Sequence, residues 1–292
     1  MNFSEKLKEI RKKEGISQEQ LAEKIGVTRQ AITKWETGKG LPDVENMVII
    51  AEIFKTTIDE LLTDSVTKAA PETLVYTSET IYDIDCEKHF DVNIGSAATI
   101  MLSSGDDEKL HVKLSSETLE NLDSMFKIKL DDRKNKLDVI CINKNKLSRY
   151  EAEESLTVEI ILPNKYSDHC EITAGVKLLT ISNLHLNHLE YDGDAAQVLI
   201  SDSSGNLEFT AKTDYDITID NVMGRLDINQ WKAKAIVHIP EENIVNVINR
   251  GRKCNVYYVK EGKPAECENV ADSENEISIS GIFSELVVDL VG

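Results

Sequence analysis

The chain has 292 residues, with 33 Lys and Arg against 52 Asp and Glu, and a formal net charge of −19. That length suits about two domains of ~100–200 residues each. A 41% hydrophobic fraction with 29% charged residues is ordinary for a soluble protein, no run approaches the ~20 apolar residues of a membrane span, and the opening MNFSEKLKEIRKKEG lacks the apolar core of a secretion signal, so the expected location is the cytoplasm.

Residues 4–62 follow helical spacing. Ser4 is the predicted N-cap of a first helix whose Leu7, Ile10 and Arg11 share one stripe and which Gly15 ends. Ser17 with Gln20 three positions on forms a capping box ahead of Leu21, Ala22 and Ile25, and Gly26 ends that second helix. Thr28 is the predicted cap of a third helix that turns Ala31, Ile32 and Trp35 inward, with Gly38 and Gly40 as stops. DVENMVIIAEIF starts a fourth helix at Asp43, and TTIDELL closes a fifth near Leu62. Lys6, Lys8, Arg11, Lys12 and Lys13 make a basic run that reads as a solvated face.

Only GVT separates the second and third helices, so the two cannot be collinear and form a helix-turn-helix. In such a unit the third helix presents its N-terminal outer face to the major groove. Arg29, Gln30, Thr33 and Lys34 are not needed for packing and suit base edges, while Gln18, Thr37 and Lys39 are placed for phosphates.

Through L-x-x-I-R-K-x-x-G-I-S-Q-E-Q-L-A, G-V-T-R-Q-A-I-T-K-W-E-T-G-K and the closing I-D-E-L-L, residues 3–62 closely resemble the lambda-Cro-like, xenobiotic-response-element (XRE) family of helix-turn-helix domains. The resemblance implies DNA-facing roles for Gln18, Thr28, Arg29, Gln30, Thr33, Lys34 and Lys39, and core roles for Leu21, Ala22, Ile25, Ile32 and Trp35. The competing reading is a helical bundle that only binds protein or dimerises. The acidity lies elsewhere: residues 1–65 hold 10 basic and 12 acidic residues, a balance of −2, leaving 23 against 40, or −17, for the rest.

The predicted organisation is a helix-turn-helix domain over 1–63, a linker over 64–80 marked by Pro71, and an all-β domain over 81–292. Alternating runs such as HFDVNI, ATIML, LHVKL, FKIKL, KLDVICI and LTVEIIL read as short strands. VLISDSSGNLEF (198–209) aligns with ITIDNVMGRLDI (217–228) at an offset of 19, matching Asp202 with Asn221 and Gly205 with Gly224. A looser copy at 179–191 slips by one residue, and 277–290 echoes the pattern. Each copy reads as two short strands joined by a turn, and VEIILP and IVHIP end strands at Pro163 and Pro240. A period near 20 points to a β-solenoid or β-roll of stacked rungs, with a β-sandwich as the alternative. In this arrangement residues 80–292 resemble the adhesin-like β-solenoid family of unknown function.

No catalytic constellation stands out, and the chain is expected not to be an enzyme. Asp202, Asp214, Asp216 and Asp220 could pair as carboxylates, as a carbohydrate-active β-helix would require, but turns are ordinarily rich in Asp. His185, His188 and Asp192, or His169 beside Cys170, could ligate zinc; residues three apart on a strand face opposite ways, so no metal or other cofactor is expected. The five cysteines are odd in number, widely spaced and lack C-x-x-C, which suggests reduced thiols.

Double-stranded DNA is the expected partner. Two or three base contacts at ~1–3 kcal/mol each give one module ~3–6 kcal/mol of discrimination, whereas ~10⁶ competing sites demand ~8 kcal/mol. A homodimer on a palindrome closes that gap, and the acidic domain is the candidate for association, or for sensing a protein partner or effector.

Overall fold

The computed structural model describes residues 3–13, 16–40, 42, 44–54, 75–241, 245–265, 273 and 275–291. The chain divides into two compact units, Met1–Thr73 and Leu74–Gly292. The predicted fifth helix and residues 64–74 of the predicted linker lie outside the described residues.

In the first unit, α1 (Phe3–Lys13), α2 (Gln18–Ile25), α3 (Arg29–Glu36) and α4 (Val44–Ile53) follow in order. Local chemistry sets their ends. Ser17 and Gln20 form the full capping box, Gly26 closes α2 in the left-handed region at φ 84°, and Thr28 Oγ1 accepts from the Ala31 N–H at the start of α3. Ser4 is not an N-cap: α1 already includes Phe3, and both residues are buried. Phe3, Leu7, Leu21, Ala22, Ile25, Ile32, Trp35, Ile50 and Ala51 make the core. Each large apolar side chain taken out of water there contributes about 1.5–3 kcal/mol before entropy.

The second unit runs β1 (Tyr76–Asp83), β2 (Lys88–Gly105), β3 (Lys109–Ser116), α5 (Leu122–Met125), β4 (Phe126–Arg133), β5 (Lys136–Asn143), α6 (Arg149–Ser155), β6 (Thr157–Pro163), β7 (Ser167–Ser182) and β8 (His185–Asp192). It continues with β9 (Ala195–Ala211), β10 (Tyr215–Trp231), β11 (Lys234–Pro240), β12 (Asn246–Asn249), β13 (Asn255–Lys260), β14 (Lys263–Pro264), β15 (Glu276–Ile282) and β16 (Glu285–Val291). Among the described residues these sixteen strands belong to one sheet. β1 starts at Tyr76, inside the stretch expected to be linker, because its alternating residues pair antiparallel with β3.

Parallel pairing dominates, from β2 to β7, from β7 to β8 and β9, from β9 to β10, and from β10 to β11 and β15. An antiparallel sandwich has no such ladder. The repeat at offset 19 is the register between β9 and β10, Val198 to Ile217 through Phe209 to Ile228. The slip in the earlier copy is a bulge between His185 and His188, after which Leu189 pairs with Leu207. The copy at 277–290 sits one strand out of phase, because Ile277 pairs with Leu226 and β16 with β11.

The two short strands expected in each copy are one long bent strand of 17 residues in β9 and in β10. Pairing passes through the bend because the left-handed residues Asp202 and Asn221 coincide, with Asn221 Nδ2 donating to Asp202 Oδ1 at 2.6 Å. β6 and β11 end at their prolines as predicted.

Register places like residues in columns across neighbouring strands. Inward, Phe90, Cys170, Leu189, Leu207, Leu226 and Ile277 form one buried column. A second runs through Ile100, Leu179, Val198, Ile217, Val237 and Val288. One position outward, Asp138, Asp91, Glu171, Glu190, Glu208 and Asp227 form a carboxylate row.

Candidate nucleic-acid interface

A buried ion pair fixes α3 against the rest of its unit. Arg11 donates from Nε to Glu36 Oε1 at 2.5 Å, from Nη2 to Glu36 Oε2 at 3.0 Å and from Nη1 to the Ile16 carbonyl at 2.8 Å. Gln18, the first residue of α2, donates its Nε2 to Glu36 Oε2 at 2.8 Å. Burial alone would raise the Glu36 carboxyl, but hydrogen bonds from Arg11 and Gln18 and the Arg11 charge hold it below the usual carboxylate range. The bond to Glu36 raises Arg11 further above its ordinary value.

Arg11 is therefore no part of an exposed basic face. Neither its role nor that of Glu36 was expected, although the signal was present: Arg11 lies four residues after Leu7 and Glu36 four after Ile32, each continuing a buried stripe. The polar cluster stands at the crossing of three helices, where a planar guanidinium can pair with a carboxylate in two bonds.

With the helix anchored, Thr28, Arg29, Gln30, Thr33, Lys34, Thr37 and Lys39 are all exposed, and Gln18 is half-buried. Arg29, Gln30, Thr33 and Lys34 fall at i, i+1, i+4 and i+5 and so share one helix face. The Thr33 hydroxyl lies 3.0 Å from the Arg29 carbonyl oxygen and 3.3 Å from Gln18 Oε1, to either of which it donates. Gln18 is thus a brace between helices as well as a surface residue. Thr37 is the C-cap of α3 and donates its hydroxyl to the Thr33 carbonyl at 2.7 Å. Lys34 lays its stem over Gly40, where an added Cβ would come within 2.8 Å of Lys34 Cε, and the Lys39 N–H donates to the Lys34 carbonyl.

The other candidate groupings from the sequence separate in space. Asp202 accepts from Asn221, Asp214 from the Lys234 N–H, and Asp216 faces His238. His185 meets Ser204 at the bulge, and Cys170 is fully buried on the opposite side of β7 from His169, its thiol pushed up by burial. Among the described residues no helix is long and apolar enough to cross a membrane.

The helix-turn-helix family profile matches residues 7–61. The chain is 52% identical over 62 residues to the transcriptional activator BcrR of Enterococcus faecalis, covering 21% of this chain and 30% of that protein. It is 41% identical over 61 residues to the CTXphi repressor RstR of Vibrio cholerae, covering 21% and 54%. It is 39% identical over 56 residues to a helix-turn-helix regulator of Archaeoglobus fulgidus, covering 19% of this chain and 80% of that one. The match thus spans about a third to a half of the first two relatives. Among solved structures, 74% of the chain aligns with a candidate cell adhesion protein of Clostridium sporogenes (all of that chain, TM-score 0.37, 13% identity) and 74% with a candidate adhesin of Bacteroides fragilis (97% of that chain, TM-score 0.34, 11% identity). With the α2–turn–α3 arrangement in place and the match falling on it, the chain belongs to the helix-turn-helix family of transcriptional regulators.

Proposed function

We propose that the protein is a cytoplasmic, non-enzymatic transcriptional regulator that reads DNA with α3 in the major groove and works as a homodimer. The observation that carries this reading is the exposed face of Arg29, Gln30, Thr33 and Lys34 on a helix held by the Arg11–Glu36–Gln18 network. A preorganised reading helix does not have to be ordered at the moment of binding. Gln18, Thr37 and Lys39 border that face as phosphate contacts, and Thr28 stands at its N-terminal edge. The in-register columns support a β-solenoid for the second unit, whose acidic surface is proposed to associate or to sense.

The test is anisotropy of the full chain on DNA fragments from upstream of candidate target genes, across a salt series. Binding is expected to weaken linearly in log–log form as salt rises. Arg29→Ala is expected to cost about 1–3 kcal/mol and to relax base preference, and Lys34→Ala to weaken binding or flatten the salt slope. If no fragment shows salt-dependent binding, or if both variants bind like the parent, the reading fails.

A second reading, an interaction scaffold, is favoured by one corner of the β unit. There the exposed Trp231, Ile282 and Phe283 lie beside a cleft of about 500 Å³. Sedimentation of the full chain and of Trp231→Ser tests it, since an unchanged monomeric mass in both removes self-association through that corner.

A further inference from the structure

Four histidines of the β unit fall into two contrasting pairs. His111 has Nε2 2.8 Å from Asp107 and Nδ1 3.4 Å from Glu79, and His238 has Nδ1 2.8 Å from Asp289 and Nε2 3.1 Å from Asp216. Those rings are paired on both sides. His89 on β2 and His169 on β7 are different: in-register neighbours, their rings stack at 4.1 Å, and their Nε2 atoms are buried without a hydrogen-bond partner among the described residues. Glu171, two residues along β7 on the same outward side, places Oε1 3.4 Å from His89 Nε2 and 3.7 Å from His169 Nε2. Among the described residues this is the one group of three metal-ligating side chains whose donor atoms all lie within 4.8 Å of one another.

We infer that His89, His169 and Glu171 form a binding site for a divalent transition metal of the zinc class, with a fourth position open. Four ligands at ~2.0–2.1 Å from a tetrahedral zinc stand about 3.3 Å apart, close to the two histidine-to-carboxylate spacings found here. Two imidazoles and one carboxylate are a donor set that zinc accepts while keeping a place for water. The surroundings favour a dication, since Glu171 is one of six aligned carboxylates and the unit as a whole is strongly acidic.

The ring planes differ by only 25°, so coordination requires the imidazoles to fan apart until both Nε2 lone pairs meet at one point. An adjoining open cleft of about 580 Å³, lined by His89 and His169 with Cys86 and Asp168, leaves room for that motion. The His188 ring on β8 lies on the other side of His169 at 4.6 Å, tilted by 41°, and limits how far that ring can turn. A buried nitrogen without a partner is costly, and a metal would satisfy two at once.

The experiment uses the full chain, freed of metal by chelation and then titrated with Co²⁺ and with Zn²⁺ near neutral pH. One saturable equivalent is expected, with visible Co²⁺ absorption of a four- or five-coordinate nitrogen and oxygen site and no near-ultraviolet thiolate band. Zn²⁺ is expected to raise the melting temperature of the β signal. His89→Asn, His169→Asn and Glu171→Gln should each weaken binding by roughly tenfold or more, whereas His238→Asn should leave it unchanged. Far-UV circular dichroism checks that each variant is folded; Glu171→Gln, at a half-exposed position, serves if a histidine variant does not fold. No saturable binding in the micromolar range, a thiolate band, or affinity unaltered in folded variants overturns the site.

Discussion

The helical unit and the β-rich unit treat ionisable side chains by opposite rules. In the first, Arg11 and Glu36 meet once, deep in the unit, with their hydrogen-bonding groups directed at named partners. In the second, two outward rows set like residues side by side on successive strands, carboxylates from Asp138 to Asp227 and histidines from His89 to His188. Crossing helices bring unlike residues together, and stacked parallel strands bring like ones together. Among the described residues the helical unit therefore adds one buried unlike pair to its apolar core, whereas the β unit rests on register.

Register is the sharpest place to break this contrast. At Gly205, φ is 134° and a Cβ would stand 1.8 Å from the Leu186 carbonyl oxygen; at Gly224 the corresponding contact is 2.3 Å to the Gly205 carbonyl. No side-chain adjustment relieves a clash with backbone. Gly205→Val is expected to cost the β unit at least ~4 kcal/mol, seen as a collapse of its urea midpoint by far-UV circular dichroism. The two tryptophans lie one in each unit, so Trp35 emission in a Trp231→Phe background should show the helical unit little changed.

Next in size is the ion pair. Arg11→Met leaves the buried Glu36 carboxylate without its cation, at an expected cost of about 3–5 kcal/mol to the helical unit, and Arg11→Met with Glu36→Leu should recover most of it. Because the folded-state pKa of Glu36 is depressed, its stabilisation is present above the unfolded value of ~4.3 and is lost as pH falls through the folded value. The Trp35 unfolding midpoint should accordingly drop below about pH 4 in the parent, and less steeply in the double variant.

The same contrast explains what the sequence made legible. Caps and stripes are local, so Ser17, Gly26, Thr28 and the inward set Leu21, Ile32 and Trp35 declared α2 and α3 within a few residues of one another. The offset of 19 was visible because β9 and β10 follow directly in the chain. What stayed hidden was distant pairing: Arg11 falls on the Leu7 stripe and in a basic run, with nothing local to name Glu36 as its partner, and the meeting of His89 with His169 depends on a β2 to β7 register that shifts at two places. Neighbouring residues suggested His185 with His188, yet the partners of His169 lie on adjacent strands. Similarly, the turns expected inside each repeat disappeared into continuous strands because coincident left-handed residues at Asp202 and Asn221 let the ladder run on.

The smallest expected effect is the most pointed, because one chemical change should act with opposite sign in the two units. Glu190 sits in the carboxylate row, and its pKa is raised by burial first and then by the facing Glu208 and Glu171. The folded chain thus holds that proton more tightly than the unfolded chain does, so the ionised Glu190 destabilises the β unit above its folded pKa, and the penalty fades as pH falls toward the unfolded value of ~4.3. Glu190→Gln keeps the shape and removes the charge. Since the position is only partly buried, the gain at pH 7 should be a few tenths to about 1 kcal/mol, shrinking in high salt and vanishing below about pH 4. Glu36→Gln should instead weaken the helical unit at pH 7, because there the charge has a buried guanidinium to answer it. Paired urea melts of the two variants across pH decide the matter: a loss at both positions would show that the carboxylate row is compensated by cations along it, as Lys136 already does for Asp91.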